Sequence, residues 1–237
     1  MKLWAIGDLH LSYAEDGKLK KPMDIFGANW EDHDKKIQKN WLENISSEDI
    51  ILLPGDFSWA MDFEEIKYDI EYLHKLPGKK ILLRGNHDYW WTSSKKMKSF
   101  LPEDIDFIQN NHFKINDLLY ICGSRGWNVP GESGFSPEDE KIYLRELARL
   151  RLSLDSVPKV PGREIIVMLH YPPVNLKHDS SDFIELMKEY GVDTCIYGHL
   201  HDASISLKIP DSKWDMNFKL VSADAISFNP LLIKLIS

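Results

Sequence analysis

Aspartate, histidine and asparagine recur along this chain in short groups, each placed just after an apolar run. Asp8-Leu9-His10 follows Lys2–Ile6, and Gly55-Asp56 follows Ile50–Leu53 and Pro54. Gly85-Asn86-His87-Asp88 follows Ile81–Leu83 and Arg84, His170 follows Ile165–Leu169, and Gly198-His199-Leu200-His201 follows Thr194–Tyr197. Carboxylate, imidazole and amide groups together suit hard-to-borderline divalent ions such as manganese, iron or zinc. Asp8, His10, Asp56, Asn86, His170, His199 and His201 are too many donors for one zinc with an open position, and about right for two adjacent ions. In Asp-x-His and His-x-His, an extended backbone turns both side chains to one face. The glycines before these groups let the chain turn tightly or approach an ion closely.

The runs that deliver these residues are short, rich in Ile, Leu and Val, and do not alternate with polar residues, which fits strands covered on both faces. Between them Trp30 to Ile45, Asp62 to Leu76 and Ser180 to Tyr190 space apolar residues at three and four, predicting helices. Ser136-Pro137-Glu138-Asp139 has the form of a helix start, and the helix it opens, to about Leu154, puts Tyr143, Leu147, Leu150 and Leu154 on one stripe. Its charged residues fall mostly elsewhere and read as a solvated face. Strand–helix alternation implies a largely parallel sheet, so the polar residues after each strand gather at one edge. The last third reads differently: Ala203–Ile209, Met216–Ser222 and Leu231–Ile236 are expected as antiparallel strands joined by turns. No linker, repeat or low-complexity tract divides the sequence, so one domain over residues 1–237 is expected.

With these residues in view, the sequence resembles the calcineurin-like metallophosphoesterases, including their bacterial phosphohydrolases. The pattern of that superfamily is D-x-H, G-D, G-N-H-[DE], H and G-H-x-H, and all five blocks occur here in order between residues 8 and 201. The resemblance implies a four-layer α/β/β/α sandwich, with a central mixed, partly parallel sheet and a second, more antiparallel one. It implies one metal held by Asp8, His10, Asp56 and His201, and another by Asp56, Asn86, His170 and His199, with Asp56 bridging. Two divalent ions, two carboxylates and one hydroxide leave a local charge of about +1, which attracts a phosphate ester. The implied reaction is hydrolysis of a phosphomono- or phosphodiester by in-line attack of a metal-bridging hydroxide. His87 would stabilise the transition state and protonate the leaving oxygen. Asp88 reads either as the partner that orients His87 or as a loop cap. Arg125, in Gly123-Ser124-Arg125-Gly126-Trp127, reads either as a phosphate contact or as a surface ion pair.

Departures from the pattern narrow the branch. Trp59 stands where purple acid phosphatases place a tyrosine ligand, and Asp56 runs on as Phe57-Ser58-Trp59-Ala60 rather than the Asp-Arg-Gly of phosphoprotein phosphatases. His87 stands where the pyrophosphatases of the lipid A pathway usually carry arginine. Bacterial phosphodiesterases of the cyclic-nucleotide type match the blocks best. Trp59, Tyr89, Trp90, Trp91 and Trp127 read as packing under the loops or as an aromatic wall for a substrate.

Composition sets outer bounds. The 237 residues are 43% hydrophobic and 28% charged, as in an ordinary globular chain. No apolar run approaches the length of a membrane span. Asp8 and His10 sit where a signal peptide needs its apolar centre. Cys122 and Cys195, both in apolar stretches, are expected as buried free thiols of a cytoplasmic protein. Against 37 acidic residues there are 29 basic ones, a formal charge of -8, so no polybasic face for nucleic acid is evident. A small phosphate ester is the expected partner. A nuclease, or a catalytically silent scaffold of the same fold, are the alternatives.

Overall fold

In the computed structural model, which describes residues 1–132 and 134–236, the apolar runs become strands whose two faces enter different cores. The first half of the chain contributes β1 (Lys2–Ala5), α1 (His33–Asn44), β2 (Ile50–Pro54), α2 (Phe63–His74), β3 (Lys79–Leu83), α3 (Ser94–Phe100) and β4 (Ile105–Phe107). Then follow β5 (Phe113–Lys114), β6 (Leu119–Ser124), α4 (Pro137–Asp155), β7 (Glu164–Leu169), α5 (Asp182–Tyr190), β8 (Thr194–Tyr197), β9 (Ser212–Lys213), β10 (Met216–Leu220) and β11 (Leu231–Leu235).

Two sheets result. One has the order β11-β1-β2-β3-β4, parallel except for β11, which runs antiparallel to β1. The other has the order β5-β6-β7-β8-β10-β9, parallel in its centre and antiparallel at both edges. Alternate residues of each strand part company. Leu3, Ala5, Ile50, Leu52 and Ile81 meet Ile121, Ile166, Met168 and Ile196 between the sheets. Trp4, Ile51, Leu53 and Leu82 face outward onto Ile37 and Trp41 of α1, Ile66 and Leu73 of α2, and Met97 of α3. Tyr120, Cys122, Val167 and Tyr197 face Tyr143 and Leu150 of α4 and Phe183 and Met187 of α5. Four layers, α/β/β/α, follow from this division of side chains.

The helices end where their sequence signals lie. Asp62 accepts the backbone N–H groups of Glu64 and Glu65 to cap α2, and Ser136 and Asp139 cap α4 reciprocally. Two expectations about the last third need correction. Ala203–Ile209 is not a strand: Asp202–Leu207 is a short 3₁₀ helix, because the Ser204 and Ser206 hydroxyls fold back onto the carbonyls of His201 (2.6 Å) and Ala203 (2.7 Å). Met216–Leu220 is a strand but lies parallel to β8, with only the two-residue β9 turned back against it. That hairpin turns at Trp214 and Asp215, both in the left-handed region at φ 53° and 59°.

Strands β1, β2 and β3 of one sheet and β7, β8 and β10 of the other all finish at the same end of the sandwich. There the two sheets are stitched together: Gly7 N donates to the Val221 carbonyl (2.7 Å) and Ala223 N donates to the Gly7 carbonyl (3.0 Å). Among the described residues no helix is long and apolar enough to cross a membrane.

Candidate metal centre

The loops leaving these strand ends carry the seven sequence-predicted donors into one cluster. Asp8, His10 and His201 present ligand atoms to a common point, and so do Asp8, Asp56 and His170. Asn86 joins through its Oδ1, 2.6 Å from His170 Nε2, and His199 through Nδ1, 3.2 Å from the same nitrogen. Asp56 Oδ2 lies between the two halves, 3.9 Å from His10 Nε2 and 3.4 Å from His170 Nε2. Asp8, His10, Asp56 and His170 are all buried.

Convergence is achieved differently from the strand alternation expected for Asp-x-His. Asp8 and His10 lie beyond the end of β1 with φ of 57° and 47°, and Asp56 and His199 are also left-handed at 49° and 71°. Such conformations cost free energy in non-glycine residues and persist where surrounding bonds over-determine them. Here Asp8 N donates to the Gly55 carbonyl and His10 N to the Asp56 carbonyl, each at 3.0 Å. Glycine is required where the chain approaches the two carboxylates closely. A Cβ on Gly85 would overlap the Asp56 carboxylate, and one on Gly198 would overlap that of Asp8.

The ring orientations leave acceptors facing acceptors. His170 Nδ1 donates to the Pro54 carbonyl (3.1 Å), an assignment made from its partner, so the bare Nε2 faces Asn86 Oδ1 and Asp56 Oδ2. His201 Nδ1 donates to Asp224 Oδ1 (2.8 Å) and turns Nε2 toward Asp8 Oδ1, 3.5 Å away. A carboxylate or carbonyl behind each imidazole is the arrangement that fixes a metal-binding histidine. His10 Nδ1 and His201 Nε2 are buried with no hydrogen-bond partner among the described residues. Divalent cations fit this donor set.

Electrostatics point the same way. Burial, then the neighbouring Asp8, pushes the Asp56 carboxyl up to about 8. Burial also works against the Asp8 charge, but His201, His170 and His10 outweigh it and hold that carboxyl below its usual range. His201 is pushed up to about 10: burial opposes its charge, and Asp8 and Asp224 on either side overcome it. Without cations, a proton on His201 supplies the positive charge that the buried Asp8 carboxylate demands. His199 is driven down to about 3 by burial and by His170, leaving a neutral imidazole available as a ligand.

His87 stands at the rim, half-buried, its backbone N–H bonded to Asp56 Oδ1 (2.8 Å) and its ring 4.2 Å from that of Trp59. It shares a cavity of about 120 Å3 with His10, His201, Trp30, Trp59 and Phe26. Burial, then His170, lowers its pKa. Asp88 does not orient it. One Asp88 oxygen accepts from Phe57 N (3.1 Å), Ser58 N (3.2 Å) and Trp90 Nε1 (3.1 Å), and the other from Gly85 N (2.7 Å). Asp88 therefore ties the Asp56 loop to the Asn86 loop, the loop-cap alternative.

Arg125 also lies apart from the cluster. Its Nη2 is 3.5 Å from Glu146, its guanidinium is 4.4 Å from the Trp127 ring centre, and the cavity it lines includes none of the seven donors. Of the aromatics, Trp90 and Trp91 are core residues packed on Phe57 and Phe107. Trp59 stacks on His10 with ring centres 4.9 Å apart, and Tyr89 is exposed beside His87. Sequence reasoning missed Asp224, Trp30, which packs on His10 and His201, and Tyr171, which lies 4.1 Å from the His199 ring. The rule that strands end in functional residues would have found Asp224, four residues beyond β10, and Tyr171, next to His170.

Known proteins share this arrangement of sequence. Gene 66 protein of Mycobacterium phage D29 is 31% identical over 204 residues, spanning 86% of this chain and 80% of that protein. The uncharacterized protein MJ1445 of Methanocaldococcus jannaschii is 25% identical over 182 residues, spanning 74% of this chain and 87% of that one. A protein of unknown function from Aquifex aeolicus, AQ665, has a solved structure that matches with a TM-score of 0.49 at 18% identity, over 98% of this chain and 95% of that chain. The family model of calcineurin-like phosphoesterases matches residues 1–203, a stretch that begins with β1 and takes in every donor from Asp8 to His201. On that match the chain belongs to the calcineurin-like phosphoesterases.

Proposed function

We propose that the protein is a dinuclear metal-dependent hydrolase of phosphomono- or phosphodiesters. The observation that carries this reading is the buried pair Asp8 and Asp56, ringed by imidazoles whose free nitrogens face inward. Asp8, His10, Asp56 and His201 would hold one divalent ion, and Asp56, Asn86, His170 and His199 the other. Such ions supply a Lewis acid for the phosphoryl oxygens and lower the pKa of bound water.

The chain's own residues do the rest. Asp56, lying between His10 and His170, sets the spacing of the two halves. Asp224 and the Pro54 carbonyl fix the tautomers of His201 and His170, so that the lone pairs point into the site. His87, held by its backbone to Asp56, offers a ring nitrogen to the cavity, where it hydrogen-bonds the developing charge on the leaving oxygen. Trp30, Trp59 and Phe26 give the leaving group an apolar surface and keep water from it.

Manganese-supported hydrolysis of nitrophenyl phosphate esters tests the reading. Asp56→Asn is expected to abolish turnover, and His87→Ala to keep its metal while losing about 10²- to 10⁴-fold in kcat. Full activity of His87→Ala on every ester would overturn the role given to His87. Indifference of the wild-type protein to chelators would overturn the reading as a whole.

A further inference from the structure

A second polar chamber opens beside the motif loops, with a volume of about 250 Å3, and none of the seven donors lines it. Its walls carry Arg84 from the end of β3, Arg125 from the loop after β6, Arg149 and Glu146 from α4, and the hydroxyl residues Thr92 and Ser93. Three guanidiniums thus meet one carboxylate, a local charge of +2 in a chain whose formal charge is -8. Glu146 is 1% exposed and already bound by Arg149 at 2.8 Å, with Arg145 approaching from outside at 3.6 Å. Its contact with Arg125 is a long 3.5 Å. Arg84 Nε and Arg125 Nε are buried with no hydrogen-bond partner among the described residues. Buried donors in such excess are unusual unless a ligand or ordered solvent accepts from them.

We propose that this chamber is an anion site, separate from the metal centre, that takes a phosphoryl-type dianion. A tetrahedral dianion offers oxygens in several directions to forked guanidinium donors, and its charge equals the excess of the walls. Trp127 stacks on Arg125 and keeps that guanidinium in place. The position also matters. Arg84 leads directly into Gly85-Asn86-His87, and the Arg125 carbonyl accepts from the backbone of His170 and of Tyr171, each at 3.0 Å. An anion held here therefore braces two loops that carry donors of the metal centre. It is either a second phosphate of the substrate, an assignment that rests on the phosphohydrolase reading, or free inorganic phosphate.

The test is calorimetric titration of the metal-loaded protein with inorganic phosphate. Two equivalents are expected to bind, and Arg149→Gln and Arg84→Gln are each expected to weaken one of them about tenfold or more, the loss of one charge-assisted hydrogen bond. Arg149→Lys, which keeps the charge, should recover part of that loss, and equal melting temperatures without phosphate check that the variants fold. A single equivalent removed by chelator, or a second one indifferent to both glutamine variants, overturns the proposal. Because the chamber equivalent persists after chelation, its failure is distinguishable from failure of the metal centre. The source is read from the ratio of KM for propanediol bisphosphate to KM for nitrophenyl phosphate. A rise of about tenfold in Arg149→Gln identifies the substrate's second phosphate, and an unchanged ratio with loss of the second equivalent identifies free phosphate.

Discussion

At the scale of single residues, the carboxylate behind His201 is the most informative. Asp224 receives His201 Nδ1–H at 2.8 Å and also the backbone N–H of Asp202 at 3.0 Å, so it sets the ring and the loop that carries it. Replacement by alanine frees the imidazole to rotate or change tautomer while every direct donor stays in place. Asp224→Ala is expected to lower metal affinity or activity about 10- to 100-fold, with Asp224→Asn retaining more because it can still accept one bond. Metal titration followed by assay would show it; unchanged affinity in the alanine variant would mean that His201 is held by something else. The donors were legible because their chemistry is written in residue type and spacing. Asp224 was overlooked because it stands 23 positions beyond the histidine it serves and outside the five motif blocks, with only its place after a strand to mark it. Asp88 stayed ambiguous for the opposite reason. It adjoins His87 in sequence, but its carboxylate turns the other way, to the backbone of Gly85, Phe57 and Ser58.

At the scale of elements, α2 anchors two of the site's loops through one buried acid. Asp69 accepts from Tyr13 N at 2.7 Å and from the Ser58 hydroxyl, so the segments following Asp8-x-His10 and Asp56 are tied to the same helix. Burial drives its carboxyl up to about 7, against the Ser58 and Tyr13 bonds that favour the charge. The unfolded chain holds this proton only below about pH 3.9, whereas the folded one keeps it to about 7, so stability falls as pH rises through that window. One such group contributes a slope of at most about 1.4 kcal/mol per pH unit. Metal-loaded Asp69→Asn is therefore expected to lose less stability than wild type between pH 5 and 8, as read from denaturant midpoints; parallel curves would refute the assignment. Helices and strands were legible wherever a full apolar period or cap was present. Strand β6 escaped notice because Leu119–Ser124 ends in Gly-Ser and is followed by Arg125 rather than by metal-ligand types, and the alternation of Ala203–Ile209 was a false strand signal produced by serines that bond their own backbone.

At the scale of the whole molecule, two parallel-centred sheets face each other so that their strand ends, and with them two buried carboxylates, arrive at one place. An arrangement that suits cations is costly without them, since Asp56 beside Asp8 loses hydration and meets a like charge. Asp56 is pushed up to about 8, so in the metal-free protein its proton is retained on folding, and stability declines as pH climbs from about 4 toward 8. Chelation should accordingly lower the melting temperature, and more at pH 8 than at pH 6. Asp56→Asn keeps the oxygen that receives His87 N–H while removing the charge. The metal-free variant is expected to melt above metal-free wild type at pH 8, by about 2–4 °C for each kcal/mol regained in a chain of this size, and the gap should narrow at pH 6. Added manganese should reverse the order, because wild type gains binding free energy that the variant cannot. A variant that melts below wild type at both pH values, with and without metal, would show that Asp56 is kept for packing rather than for the charge it holds ready for cations.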